Sequence, residues 1–209
     1  MRRRLAFALA TVLAVVAGVA SASALTATSG SDTPGGAEAV QPDGRGAVVP
    51  VTVTDPDGRA GWAVRVYRSQ AGLTCPEAGR TKDGNFGQVD DSGEFRSLDI
   101  EAAGSCADLS KAPMSLAVNH YPAGGKRPAR AVIFGVATPK ITALKLNLAD
   151  ASRAVTITGN AFLAVTREDA LTGASLVATL ADGTTTSYAL RPMDVPAAAL
   201  SGPGDPATG

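Results

Sequence analysis

The sequence predicts an all-β protein: an antiparallel two-sheet sandwich of Ig-like architecture, with about eight strands and one long disulfide-tied loop. Three observations predict it. Short runs rich in β-branched residues recur along the chain, many of them alternating between apolar and polar positions. Turn dipeptides separate them in pairs: Asp57-Gly58, Gly159-Asn160 and Asp182-Gly183. The one stretch where the rhythm fails holds both cysteines, Cys75 and Cys106.

The chain opens on Arg2, Arg3 and Arg4, an apolar run from Leu5 to Ala20, and small residues at Ala20, Ala22 and Ala24. That order of charge, apolar stretch and A-x-A site predicts a signal peptide over residues 1–24, cut after Ala24 or after Ala22. The run falls short of the roughly 20 apolar residues that a spanning helix requires, so no stable membrane insertion is expected once the leader is removed. The leader has no cysteine in or just behind it for lipid attachment. Residues 25–46 are Ser, Thr, Gly, Pro and Ala with scattered acids, which predicts a disordered linker.

The β domain is expected over residues 47–192. Val48 to Thr54 and Trp62 to Arg68 alternate on either side of Asp55-Pro56-Asp57-Gly58 and read as a hairpin. Pro50 lacks an amide proton, which places the first of these strands at an edge. From Ser69 to Pro113 periodicity is poor. A short hairpin around Asp90-Asp91-Ser92-Gly93, between Phe86 and Phe95, interrupts what otherwise reads as a long loop tied by a disulfide.

Alternation resumes where Met114, Leu116, Val118 and His120 share one face. Ala129 to Thr138, apolar apart from Arg130 and Thr138, reads as a central strand covered on both faces. Ile141 to Leu148 reads as a half-exposed strand. Ala154 to Thr158 and Ala161 to Thr166 flank the Gly159-Asn160 turn, and Thr166 to Leu171 reads as one helical turn capped by Thr166. Ser175 to Leu180 and Thr184 to Leu190 form a last hairpin, and residues 193–209 read as a disordered tail. A division into two smaller β modules near residues 123–128 is the alternative organisation.

Composition excludes several functions. The chain carries nineteen basic and nineteen acidic residues; the leader takes three basic and no acidic ones, leaving a net charge of about −3. A mildly acidic surface lacks the basic footprint that nucleic acid demands, so no nucleic-acid partner is expected. Two cysteines in an exported chain predict a disulfide, Cys75 to Cys106, because the compartment is oxidising. With one histidine in the chain they cannot close a tetrahedral zinc shell without carboxylates.

His120 is the one histidine, so any His-assisted hydrolase chemistry would have to use it; no G-x-S-x-G elbow accompanies it, and a packed strand-end histidine accounts for its position. Asp90, Asp91 and Glu94, with Asp99 and Glu101 nearby, supply hard oxygen atoms of the kind that hold calcium. Turn chemistry explains Asp-Asp-Ser-Gly with no ion, and neither a metal nor a cofactor is expected. Cys75-Pro76-Glu77 has the anchored form of a protease-inhibitor loop, though with a single disulfide behind it.

Gly61-Trp62-Ala63-Val64-Arg65-Val66-Tyr67-Arg68, Thr74-Cys75-Pro76-Glu77-Ala78-Gly79, Gly84-Asn85-Phe86-Gly87 and Gly104-Ser105-Cys106, together with Ile133-Phe134-Gly135-Val136-Ala137 and Gly159-Asn160-Ala161-Phe162, resemble segments of uncharacterised exported β-rich proteins of high-GC Gram-positive bacteria. The resemblance implies export and a β-rich domain and transfers no activity. The sequence therefore leads to a secreted, extracellular or envelope-associated domain without catalysis. Its expected partner is a protein or cell-wall component, met through the Cys75 to Cys106 loop. The alternative is an envelope-associated hydrolytic enzyme using His120 or a carboxylate pair.

Overall fold

The computed structural model describes residues 41–55, 60–90, 92–100, 106–124 and 128–191. The expected leader, most of the linker, the tail, the Asp57-Gly58 dipeptide, Asp91, Glu101 and residues 125–127 lie outside them. Among the described residues no helix is long and apolar enough to cross a membrane. The protein is all-β, and the thirteen strands among the described residues pair antiparallel throughout.

The first sheet has the order β1-β2-β3-β4-β5, formed by β1 (Pro42–Val53), β2 (Gly61–Ser69), β3 (Thr74–Lys82), β4 (Asn85–Val89) and β5 (Phe95–Ser97). The second, β10-β11-β7-β6, contains β6 (Met114–Tyr121), β7 (Arg130–Ala137), β10 (Ile157–Thr158) and β11 (Ala161–Arg167). The third, β13-β12-β8-β9, contains β8 (Ile141–Asn147), β9 (Ser152–Val155), β12 (Ser175–Leu180) and β13 (Thr185–Ala189).

The second sheet is the middle layer. Every residue of β7 is buried, and successive side chains serve opposite cores, as strand geometry requires. Val132, Phe134 and Val136, with Ala161, Leu163 and Val165 of β11, pack against Val51, Trp62, Val64 and Ala78 of the first sheet. Ala131, Ile133 and Ala137, with Phe162 and Ala164, pack instead against Leu144, Leu146, Leu176 and Ala178 of the third. The continuous apolar run Ala131 to Ala137 within β7 is the signature of a strand with no solvent face. Gly135 is required by space: a Cβ there would stand 1.9 Å from the Ser115 carbonyl oxygen and 2.7 Å from the Phe162 ring.

The architecture thus exceeds the expected two sheets and eight strands, for two physical reasons. The stretch read as a long loop contains β3 as well as the expected short hairpin, formed by β4 and β5. β3 lacks alternation because charged residues occupy both its faces, Glu77 on one and Arg80 on the other, and both are held in ion pairs. The run 154–158, read as one strand, divides at Thr156: β9 pairs with β8 in the third sheet and β10 with β11 in the second. The chain crosses between layers there.

Several local expectations hold. β1 and β2 form a hairpin with β1 at the sheet edge, where Pro50 is harmless. β1 begins at Pro42 rather than at Val48. Gly159 and Asn160 both have positive φ, 55° and 66°, as the two-residue turn between β10 and β11 demands. The helical turn is a short 3-10 segment, Glu168–Leu171, but Thr166 belongs to β11. Arg167 stands at the cap without a capping hydrogen bond.

Candidate functional site

The Cys75–Cys106 disulfide forms, with Cys75 fully buried in β3. A buried disulfide fits an oxidising, extracellular environment. Beside it Thr74 and Ala107 exchange both backbone hydrogen bonds at 2.9 Å. Residues 98–99 are tied to the outer face of the first sheet by Arg65, whose guanidinium donates to the Leu98 and Asp99 carbonyls at 2.8 and 2.5 Å. Its Nε donates to Glu77 at 2.7 Å, and the group lies 4.4 Å from the centre of the Phe86 ring. Arg65 is 3% exposed, so every described contact of its head group is made within the protein.

A second cationic cluster closes one end of the space between the first and second sheets. Asp55, 3% exposed, accepts from Trp62 Nε1 at 2.8 Å and from Arg80 Nη1 at 2.6 Å, while Arg130 Nη2 stands 3.9 Å from its other oxygen. The Arg80 guanidinium lies 3.5 Å over the Trp62 ring, within cation–π range. Tyr121 meets that ring edge-on at 4.7 Å between centroids. Burial lowers the pKa of Arg80 against the opposing pull of Asp55, and burial raises that of the Tyr121 hydroxyl. These side chains form an interlocked plug.

His120 is the penultimate residue of β6, on the face turned to the third sheet. Its Nδ1 is 2.7 Å from Glu168 Oε1 in the 3-10 turn, and the two side chains are 17% and 23% exposed. The sequence offered no sign of this pairing, because the partners stand forty-eight residues apart.

Asp90 and Glu94 stand in the β4–β5 hairpin, and Asp90 serves the turn. Its Oδ1 accepts from the Ser92 amide and hydroxyl and from the Glu94 amide, and Arg96 pairs with its other oxygen at 3.0 Å. Asp108 with Ser110 and Asp182 with Thr184 repeat the arrangement. In each case the hydroxyl's hydrogen bond is the leading cause holding the aspartate below its ordinary pKa. Among the described residues no three His, Cys, Asp or Glu side chains gather as metal ligands.

At the end away from the plug, the space between the first two sheets opens into a groove of about 340 Å³. Its apolar lining is Val48, Val66, Leu109 and Val136, and Asp43, Arg45, Arg68 and Asn160 add polar groups. The irregular start of β1 shapes it. Residues 43–46 stand opposite the single residue Arg68, between the pairs Pro42–Ser69 and Ala47–Tyr67. Gly44 and Gly46 take φ of 81° and 87° in this excursion, and Asp43 Oδ1 accepts the Arg45 amide at 2.9 Å. A second irregularity between Val48 and Val51 follows, and Val48 and Val49 are exposed at 64% and 44%.

Sequence reasoning missed this groove because its residues come from six separate places in the chain and Gly44-Arg45-Gly46 reads as linker. The signal available was Asp43-Gly44, a turn dipeptide inside an otherwise featureless stretch. The chain matches no protein-family model, no curated protein and no solved structure.

Proposed function

We propose that this chain is an exported, non-catalytic domain that binds a protein of the cell envelope or the extracellular space along the open edge of β1. The observation that carries the reading is the exposure of Val48 and Val49 on an edge strand. An edge presents backbone donors and acceptors to an incoming strand, and proteins commonly guard such edges with charge rather than leave adjacent valines on them. Within the Cys75 to Cys106 segment, Arg65 ties residues 98–99 to the first sheet.

The enzymatic alternative has the His120–Glu168 pair in its favour, since a carboxylate on Nδ1 orients an imidazole for proton transfer. That pair does not line the groove, where Asp43 is the sole carboxylate among the lining residues. The test is co-sedimentation of the exported chain with isolated cell wall and with envelope proteins, beside a Val49→Lys variant. Saturable binding to envelope protein that the variant loses supports the reading. Binding unchanged by Val49→Lys, or none, refutes it.

A further inference from the structure

The groove between the first two sheets has a chemistry that an incoming strand at the β1 edge does not use. Its volume lies at the lower end of the range of small-molecule sites, roughly 300 to 1,000 Å³. Its composition also fits such a site, with an apolar floor and a few convergent polar groups. The floor is the end of a core: half-buried Val66 and buried Val136 continue inward to Val64, Phe134 and Trp62.

The rim is basic. Two guanidinium groups and one carboxylate line the groove, although the exported chain as a whole carries more acids than bases. Arg68 donates from Nη1 to the Gly72 carbonyl at 2.8 Å, a neutral acceptor that leaves its charge uncompensated by that bond. Arg45 meets Asp43 at 3.6 Å with its side chain 88% exposed, a contact of the kind that contributes little. The backbone excursion at 43–46 interrupts pairing with β2 and sets Arg45 at the rim; bulges that re-aim a side chain in this way are common beside binding sites.

We propose that this groove binds a small amphipathic carboxylate, its apolar body on Val48, Val66, Leu109 and Val136 and its head group at Arg68 and Arg45. A guanidinium fork matches a carboxylate in shape and charge, and the apolar floor supplies most of the area removed from water. The inference goes beyond the proposed protein partner and does not depend on it.

The experiment is calorimetric titration of the exported chain with decanoate below its micelle concentration, with decanol and decyltrimethylammonium as controls, and NMR mapping of methyl shifts. Saturable decanoate binding is expected, moving the methyl signals of Val66, Leu109 and Val136, and weaker by roughly tenfold or more in Arg68→Glu. Arg68 is exposed, so Arg68→Glu should keep the parent's thermal midpoint; Arg68→Gln serves if it does not. Absence of decanoate binding, equal binding of decyltrimethylammonium, equal affinity in the Arg68 variants, or shifts confined to the core of the third sheet would each overturn the proposal. Envelope binding that survives while decanoate fails overturns this inference alone.

Discussion

Arg65 shows what a single buried cation does in this protein. It answers its own desolvation with one carboxylate, two carbonyls and an aromatic face, and in doing so carries the covering segment. Removing one partner of such a pair leaves Glu77 with an uncompensated charge. Arg65→Met is therefore expected to lower stability by about 3 to 5 kcal/mol in urea unfolding. A loss within the range of a surface substitution would mean the guanidinium is replaceable by packing. The aspartates of the three hydroxyl-capped turns make a different prediction. Their folded pKa values are depressed, so their contribution is present above the ordinary aspartate value and is lost as pH falls from there through the lowered ones. Carboxyl NMR titration should find Asp90, Asp108 and Asp182 below the usual aspartate range. Ser92→Ala should raise Asp90 and leave the other two unmoved.

Among the elements, those legible in the sequence are the ones whose environment is uniform along their length. β8 and β12 alternate between one core and solvent, and their patterns say so. β3 was illegible because its buried polar side chains are satisfied by partners remote in sequence, which hydropathy cannot register: Arg80 is received by Asp55 and Glu77 by Arg65. The disulfide follows from counting cysteines and the β4–β5 hairpin from its turn residues, but β3 follows from neither. The disulfide anchors β3 to the segment after β5, so its loss should tell on the first sheet. The Cys75→Ser, Cys106→Ser variant is expected to lose about 3 to 4 kcal/mol in the chain-entropy account. Amide exchange should accelerate in β3 to β5 more than in β12. Uniform acceleration across all three sheets would contradict a local anchoring role.

At the scale of the whole molecule, the second sheet decides how the layers behave. Its central position was readable from the apolar run Ala131 to Ala137 of β7, whereas the third layer was not: a strand buried on both faces does not reveal how many sheets cover it. The His120–Glu168 contact was hidden for the related reason that β6 and the 3-10 turn meet only in the folded state. Because β7 and β11 serve both cores, detaching the first sheet would expose Val132, Phe134, Val136, Leu163 and Val165, each large side chain at about 1.5 to 3 kcal/mol. Such a penalty is comparable to the whole stability of a domain, so the three layers should unfold as one unit. Ile133 and Phe134 test this directly, being neighbours in the chain that point into different cores. Ile133→Ala should cost about 2 to 5 kcal/mol and Phe134→Ala about 3 to 5. Either should shift the Trp62 fluorescence transition and the far-ultraviolet circular dichroism transition together, although Trp62 lies only in the core that Phe134 enters. If Ile133→Ala lowers the dichroism midpoint and leaves the Trp62 midpoint in place, the two cores melt separately and the shared sheet does not couple them.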